Sequence, residues 1–339
     1  MRKKRVGVIL INLGTPASCD TRDIRRYLKE FLMDERVIDI PGWKRWLLVN
    51  GIIAPFRAPK VRHEYLKLET PEGLPLRVIS KLLEKKVQNR FEHSSIHIEL
   101  AMRYGSPSIK KQLESLKNKS VEKVIIFPLF PQYASATNGT AIAKAFEEIK
   151  KWPVIPELAT IPYFHDHPTF IKAISRQLDE DIKKEVPDHI LFSFHGLPQR
   201  QINALGGYCS SCEGVRECKT HNPYCYKSAC YHTAHQIAQT LNLTRDQYTI
   251  AFQSRLGKTP WIQPYTDDTI HQLAKKGIKR LHVIAPSFVT DCLETTIEIG
   301  EQYHQLFLDL GGEKFSLSNS LNDTDEWVNT ITEMIQSKI

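Results

Sequence analysis

The chain has 339 residues, of which 25% are charged and 41% are hydrophobic, and its formal net charge at pH 7 is +8. This composition excludes a disordered or low-complexity protein, and the length is more typical of two domains than of one. No apolar segment approaches the length of a membrane span, and no basic run interleaved with aromatic residues indicates nucleic-acid binding. The cationic balance favours carboxylate-bearing ligands or anionic lipid headgroups, and is equally typical of a surface without a partner.

The amino terminus predicts an opening β-strand. Its basic residues and apolar run superficially resemble a secretory signal, but Gly7, Asn12 and Gly14 interrupt the run and no small-residue cleavage site follows. Five of the seven cysteines lie between Cys209 and Cys230, and this crowding is more typical of metal ligands in a reducing compartment than of a disulfide framework. We therefore expect a cytoplasmic protein.

The first half of the chain alternates predicted strands with predicted helices. The strands are apolar runs, expected over residues 5–13, 96–104, 121–130 and 158–162. Helices are expected after an N-cap at Ser18 or Asp20, after Ser106 with Pro107 in the first helical position, and over residues 141–150.

An apolar and aromatic segment follows the first predicted helix, over residues 37–59. Three prolines and two glycines punctuate it, which forbids one long helix. Trp43 and Trp46 lie close to basic residues, and this combination suits an apolar lip that grips a flat ligand or touches a bilayer surface. A simple cover for the core is an equally good interpretation.

The alternation begins again in the second half of the chain. Strands are expected over residues 189–194, 248–253 and 280–284, and helices over residues 169–184, 230–241, 266–276 and from Cys292 onward. The predicted fold is therefore α/β, with two similar Rossmann-like halves that each contain a doubly wound parallel sheet, and with a ligand cleft between them.

The domain boundaries follow from this repetition. We expect a first half over residues 1–162, which carries the lip at about 37–59, and a second half over residues 163–322, with a cysteine-rich insertion at about 206–230. The terminal segment, 323–339, contains an amphipathic helix that we expect to pack back on the first half.

His195 is the first candidate for chemistry. It ends the run Leu-Phe-Ser-Phe-His over residues 191–195 and precedes Gly196, so its imidazole is expected where a buried strand breaks into a loop at the edge of a cleft. A single histidine in such a position is more often structural, satisfied by a backbone carbonyl. A functional role therefore depends on partners elsewhere in the chain.

Acidic residues follow the strand predicted at 280–284. Asp291 and Glu294 have the spacing of a capping box, and this structural role alone would account for a glutamate at position 294. Glu298 and Glu301 lie one and two turns further, so three carboxylates are expected along one face of the helix. Such a row suits the passage of a divalent cation toward a cleft, where imidazole suits a borderline metal such as Fe²⁺.

With these residues the sequence resembles the ferrochelatases, lyases that insert Fe²⁺ into a porphyrin in the last step of haem synthesis. The resemblance runs through nearly the whole chain and is jointly highly specific, although no single motif would suffice. The motifs are ILINLGTP at 9–16, MRYGSP at 102–107, PLFPQYASA at 128–136, SFHGLPQR at 193–200, QSRLGKTPW at 253–261 and APSFVTDCLET at 285–295. The family's fold, two Rossmann-like halves around a porphyrin cleft, agrees with the predicted alternation.

The resemblance implies roles for the imidazole and the acids. His195 matches the family's active-site histidine, and Glu294 matches the glutamate that faces it across the porphyrin; both are implied to contact the substrate Fe²⁺. Glu298 matches the next acid of the route along which the metal arrives. Gln302 stands where many members have a further carboxylate, a role that would fall to Glu301 in this chain.

The resemblance also implies contacts with the porphyrin. Leu13 occupies a position that is tyrosine in coproporphyrin-using relatives, and an aliphatic residue there is similar to the protoporphyrin-using branch. Arg57 resembles a propionate-binding arginine of the lip, although Leu74 replaces a serine that is often found nearby. The remaining matches near the pocket are Arg103, Tyr133 and Trp261.

The cysteine run has the form Cys209-x2-Cys212-x5-Cys218-x6-Cys225-x4-Cys230. Its density indicates a bound metal, without deciding between Zn²⁺ and an iron–sulfur cluster. Some ferrochelatases hold a [2Fe-2S] cluster through cysteines in an insertion just after the histidine loop, where this run lies. Because Cys230 matches a cysteine of cluster-free relatives, the resemblance assigns the other four as ligands.

Three functions are therefore compatible with the sequence. The first is insertion of Fe²⁺ into protoporphyrin IX, which forms protohaem and releases two protons, and the second is the same reaction on coproporphyrin III, which Leu13 disfavours. The third is a non-catalytic tetrapyrrole-binding or metal-binding protein on the same fold, with structural zinc in the cysteine run. The presence of both His195 and Glu294 argues against the third. The lip around Trp43 and Trp46 suggests peripheral membrane contact.

Overall fold

The computed structural model describes residues 4–204, 222, 224–255, 257 and 259–339. The chain divides into two compact units. The first unit consists of Met1–Phe130, Ala134–Tyr163 and Asn322–Ile339, and the second consists of Pro131–Tyr133 and Phe164–Leu321. The carboxyl-terminal helix Asp325–Gln336 belongs to the first unit, where it packs against the helix Pro75–Asn89.

The first unit contains a parallel four-stranded sheet in the order β2-β1-β3-β4. Its strands are β1 Val6–Asn12, β2 Ile96–Met102, β3 Lys123–Pro128 and β4 Glu157–Thr160. The central strand β1 is buried at every position, as expected for a continuous apolar run between two neighbours with helices on both faces. Helix side chains such as Leu113 and Ala145 join Ile9 and Ile11 in the core.

The edge strand β2 is covered by polar side chains from the helix Pro75–Asn89. The Ile98 amide donates to Gln88 Oε1 at 2.8 Å, and Gln88 Nε2 donates to the Ile96 carbonyl at 3.2 Å. The Leu100 amide donates to Glu84 in the same way. These bonds satisfy the outward backbone groups of the edge strand, which would otherwise be open to pairing with another chain.

The second unit repeats this topology. Its parallel sheet has the order β6-β5-β7-β8, with β5 His189–His195, β6 Tyr248–Gln253, β7 Arg280–Ile284 and β8 Lys314–Leu317. The prediction of an α/β fold with two doubly wound parallel sheets is therefore confirmed. Strand β8 was not predicted, because its four residues alternate polar and apolar side chains over too short a length to give a signal.

The remaining helices surround these sheets. In the first unit they span Thr21–Leu32, Gly42–Leu47, Ala54–Leu68, Ile109–Asn118 and Thr140–Ile149. In the second unit they span Pro168–Lys184, Gln199–Asn203, Tyr226–Thr240, Thr266–Lys275 and His304–Asp309. Segments of π-helix span Leu48–Ile53, Ser135–Gly139 and Glu294–Tyr303. No helix in the described part of the chain is long and apolar enough to cross a membrane.

The segment predicted to be broken by proline and glycine is helical without interruption from Gly42 to Leu68. The prediction was wrong because a π-helical stretch, Leu48–Ile53, lies in the middle and contains Gly51. The i→i+5 hydrogen bonds of the π-helix change which backbone amides need an acceptor. Pro55 lies in the first turn of the next α-helical stretch, where the missing amide proton is tolerated. Pro59 lies inside that stretch.

The predicted start of the helix after β2 is also corrected. Ser108, and not Ser106, is the N-cap, and its hydroxyl accepts a hydrogen bond from the Lys111 amide at 3.3 Å. Pro107 lies outside the helix because its carbonyl accepts a bond from the Met102 amide, which keeps it beside the end of β2.

Candidate active site

His195 is the last residue of β5, at the carboxyl end of the second sheet. Its backbone is anchored on both sides: the amide donates to Ser287 Oγ at 3.3 Å, and the carbonyl accepts from the Tyr226 hydroxyl at 2.8 Å. Burial raises the pKa of the Tyr226 phenol well above its usual value, so that phenol stays protonated and remains a donor. The imidazole lies beside the ring of Phe288, with ring centroids 6.1 Å apart.

A single contact determines which imidazole nitrogen is available. His195 Nδ1 lies 2.6 Å from the Gly196 carbonyl oxygen, which can only accept a hydrogen bond. Nδ1 therefore carries the proton, and the lone pair of the neutral ring is on Nε2. Such an imidazole can accept a proton or bind a metal ion through Nε2.

Gly196 brings β5, β6 and Trp261 together at this point. A Cβ at position 196 would lie 2.6 Å from the Gln253 carbonyl oxygen and 3.3 Å from the Trp261 ring, so only glycine fits without a shift of the backbone. The Gly196 amide donates to the same Gln253 carbonyl at 2.9 Å. The structure therefore places the predicted residue Trp261 directly beside the histidine loop.

Glu294 begins the π-helix Glu294–Tyr303, which follows the loop after β7. The predicted capping box is not formed: the Asp291 carboxylate accepts from the Ser320 amide, and the hydroxyl of Thr295 accepts from the Cys292 amide at 3.0 Å. Glu294 hydrogen bonds instead with the Cys292 thiol. Burial raises the pKa of that thiol, and the adjacent carboxylate raises it further, so Cys292 stays protonated.

The π-helical geometry changes the predicted row of three carboxylates. With i→i+5 hydrogen bonds, Glu298 remains about one turn from Glu294, whereas Glu301 lies about one and a half turns away. Glu298 is half-buried and Glu301 is exposed. The α-helical spacing that put all three on one face therefore does not apply to Glu301.

The Glu298 carboxylate has partners that the sequence did not predict. Its Oε1 accepts from the Ser254 amide at 2.8 Å and from the Tyr303 hydroxyl at 2.9 Å, and its Oε2 accepts from Ser254 Oγ at 2.5 Å. Ser254 comes directly after β6 and Tyr303 ends the π-helix. The only sequence signal for the first contact was the position of Ser254 at a strand's carboxyl end, and the contact with Tyr303 depends on the π-helical spacing.

Three of the predicted porphyrin contacts, Leu13, Arg57 and Arg103, belong to the first unit. Leu13 directly follows β1 and is half-buried, and its carbonyl accepts from the Tyr104 amide at 2.9 Å. Arg57 is exposed on the helix Ala54–Leu68. In the second unit, Tyr133 packs its ring against that of Tyr224, with centroids 5.6 Å apart.

Arg103 takes part in a buried network around Asp34. The guanidinium donates to Asp34 and to Thr140 Oγ1, at 2.5 and 2.7 Å, and the Tyr104 hydroxyl also donates to Asp34. Burial would raise the pKa of Asp34, but hydrogen bonds from Thr140 and from the Arg36 amide, with the charge of Arg103, lower it below its usual value. The ionised carboxylate therefore fixes Arg103 in the first unit.

Only one of the four predicted cluster ligands belongs to the described residues. Cys209, Cys212 and Cys218 lie outside them, and Cys225 is buried directly before the helix Tyr226–Thr240. Cys230, on that helix, is fully buried, and burial raises the pKa of its thiol. Within the described ranges, no group of three or more histidine, cysteine or acidic side chains is arranged to hold a metal ion.

Two solved structures share the fold of this chain. SirB from Bacillus subtilis with Fe³⁺ matches with a TM-score of 0.54 and 10% identity, over 98% of this chain and 94% of that one. The sirohydrochlorin chelatase SirB from Bacillus subtilis subspecies spizizenii, in complex with cobalt, matches with a TM-score of 0.52 and the same identity. The protein therefore has the chelatase fold.

Sequence comparisons identify the family of the chain. The ferrochelatase family profile matches residues 5–339. A ferrochelatase of Legionella pneumophila (strain Corby) is 42% identical over 335 residues, which cover 99% of this chain and 100% of that protein. One of Coxiella burnetii (strain Dugway 5J108-111) is 40% identical over 338 residues, which cover 99% and 94%. This chain belongs to the ferrochelatase family, as the motifs predicted.

Proposed function

We propose that this protein is a protoporphyrin ferrochelatase, which inserts Fe²⁺ into protoporphyrin IX, forms protohaem and releases two protons. Membership of the family supports the insertion of iron into a porphyrin. The observation that carries the mechanism is the bond between His195 Nδ1 and the Gly196 carbonyl, because it leaves the Nε2 lone pair for chemistry.

The mechanism follows from the chemistry of the macrocycle. A flat porphyrin holds two N–H protons in its plane and presents its lone pairs poorly to a hydrated ion, so a site that binds the ring in a distorted form stabilises a geometry close to the transition state. Fe²⁺ exchanges water for protein ligands, enters from one face, and both pyrrole protons leave. His195 Nε2 accepts a proton or binds the iron transiently, and both roles fit its tautomer.

The other site residues support this reaction in our proposal. Glu294 faces His195 across the porphyrin and helps to remove protons or to orient the ion, and Glu298 precedes it on the iron route, with Glu301 as the exposed outer acid. Leu13 contributes an aliphatic contact that suits protoporphyrin IX better than coproporphyrin III. The further contacts with the ring are Arg57, Arg103, Tyr133 and Trp261.

We also propose a [2Fe-2S] cluster on Cys209, Cys212, Cys218 and Cys225, with Zn²⁺ as the alternative occupant. The support within the described residues is Cys225, which is buried at the N-cap of the helix Tyr226–Thr240 and follows the other three cysteines in the chain. Net iron insertion transfers no electrons, so a regulatory or stabilising role for such a group would fit the reaction as well as a redox role.

The lip supports a peripheral membrane contact for a cytoplasmic protein. Trp43, Trp46 and Phe56 are 65%, 57% and 68% exposed along the helical stretch from Gly42 to Leu68, together with exposed Leu47 and Ile52. Lys44, Arg57 and Lys60 are exposed on the same stretch. Large apolar side chains beside cations are typical of helices that lie in the interface of an anionic bilayer.

The choice of porphyrin is tested by steady-state kinetics with both substrates. We expect kcat/KM for protoporphyrin IX to exceed that for coproporphyrin III by about tenfold or more, and Leu13→Tyr to reduce that ratio, because pocket contacts set such discrimination. Leu82→Tyr, at an exposed position of the first unit, is the control. A wild-type preference for coproporphyrin III would contradict the proposal and favour the alternative branch.

The role of His195 is tested by His195→Ala. We expect iron insertion to fall by about 10²- to 10⁴-fold, the usual contribution of a positioned acid–base group, with retained secondary structure by circular dichroism. His271→Ala, on the exposed side of the helix Thr266–Lys275, should insert iron at the wild-type rate. Unchanged turnover in His195→Ala would contradict the proposed mechanism.

The metal in the cysteine run is tested by metal analysis and a visible spectrum of freshly purified protein. We expect a red-brown protein whose visible absorbance is bleached by dithionite, and we expect Cys225→Ser to lose that absorbance because a ligand is missing. Cys230→Ala, which removes a nearby thiol that is not a proposed ligand, should keep it. A colourless protein with stoichiometric zinc would refute the cluster.

The membrane contact is tested by sedimentation with liposomes that contain anionic lipid. We expect the wild-type protein to sediment with them, and the variant Trp43→Ser, Trp46→Ser to sediment several-fold less, because each tryptophan contributes buried apolar area at the interface. Val154→Ser, at another exposed apolar position of the first unit, is the control. Equal sedimentation of the wild type and the double variant would exclude the lip as the contact.

A further inference from the structure

We propose that Tyr303 and Ser254 are positioning residues for iron delivery, which hold the Glu298 carboxylate so that a single lone pair, on Oε2, is left for the arriving ion. This proposal rests on the proposed function, in which Glu298 lies on the iron route. Neither Tyr303 nor Ser254 is expected to contact the porphyrin or the iron.

The count of hydrogen bonds defines the open position. An ionised carboxylate has about four lone-pair sites, two on each oxygen. Glu298 Oε1 accepts two bonds, from the Ser254 amide and the Tyr303 hydroxyl, and Oε2 accepts one, from Ser254 Oγ. One lone pair of Oε2 therefore remains. A carboxylate of this kind contacts a hydrated divalent cation through one oxygen, which leaves the ion's other positions for water and for the next ligand.

The π-helix is the reason that Tyr303 reaches Glu298. The two residues are five positions apart, and in a helix with i→i+5 hydrogen bonds this spacing is about one turn, so the side chains lie on the same face. In an α-helix the same spacing would direct them to different faces, since only residues three or four apart are neighbours there. The contact between Tyr303 and Glu298 therefore depends on the π-helical conformation.

Ser254 is held in an unusual conformation to make its two contacts. Its φ is +65°, in the left-handed region that residues other than glycine adopt at a cost. This conformation lies at the end of β6, and both the amide and the hydroxyl of Ser254 reach the Glu298 carboxylate. Strained backbone that is retained by contacts to one functional side chain is typical of a site that must be rigid.

The test measures iron and porphyrin kinetics separately in Tyr303→Phe. We expect KM for Fe²⁺ to rise about threefold to tenfold, because the loosened carboxylate must be ordered when the ion binds, with kcat and KM for protoporphyrin IX changed less than about twofold. Ser254→Gly removes the hydroxyl and relieves the left-handed strain, and it should also raise KM for Fe²⁺. Tyr248→Phe, which removes a buried tyrosine hydroxyl bonded to His235, is the matched control with wild-type kinetics.

A double-mutant cycle separates positioning from a general structural role. In the Glu298→Ala background, Tyr303→Phe should have no further effect on KM for Fe²⁺, because its partner is gone. An equal effect in both backgrounds, or an unchanged KM in Tyr303→Phe, would overturn the proposal.

Calorimetric titration with Co²⁺, an air-stable substitute for Fe²⁺, distinguishes failure of this proposal from failure of the proposed function. We expect Tyr303→Phe to weaken Co²⁺ binding by a similar factor, and only when Glu298 is present. If the wild-type protein inserts no iron but shows this coupling, the proposed function fails, and what stands is that Tyr303 positions Glu298 for a divalent cation. If iron is inserted and Co²⁺ binding is the same with and without the Tyr303 hydroxyl, the positioning role fails.

Discussion

The close approach of β5 and β6 at their carboxyl ends is the constraint on which the candidate site depends. The Gly196 amide bonds to the Gln253 carbonyl, and the missing Cβ of Gly196 leaves room for that carbonyl and for the Trp261 ring. The turn of the chain after His195 then presents the Gly196 carbonyl to Nδ1, which determines the tautomer. Ser254 directly follows Gln253, the last residue of β6. Its backbone has a left-handed conformation, and its amide donates a hydrogen bond to Glu298.

The same edge of the sheet also organises the acidic helix. Ser287 and Phe288, from the loop after β7, contact His195 from one side, and Glu294 begins the π-helix a few residues later. The π-helix widens the turn, which separates Glu301 from the other acids and brings Tyr303 to Glu298. Short π-helical segments of this type are often found at functional sites, where they re-aim a few side chains at the expense of regular bonding.

Much of the fold could be predicted because the informative strands are strong apolar runs. β1, β3 and β5 are buried almost throughout, and the helices between them have clear apolar faces, so the order of elements and the parallel sheets follow from the pattern. Strand β8 is short and half-exposed and gives no such signal. The helix from Gly42 to Leu68 was missed because proline and glycine are strong local signals, and a π-helical insertion accommodates them only in three dimensions.

The sequence by itself determined the family, the class of fold and the candidate residues His195 and Glu294, because these depend on residue types in a fixed order. Only the tertiary structure decided the tautomer of His195, the hydrogen-bond partners of Glu298, and the ion pair between Arg103 and Asp34. These features depend on hydrogen bonds of about 3 Å, between chain neighbours such as His195 and Gly196 as well as between distant residues such as Ser254 and Glu298. Their geometry is set by the folded backbone, which spacing along the sequence does not specify.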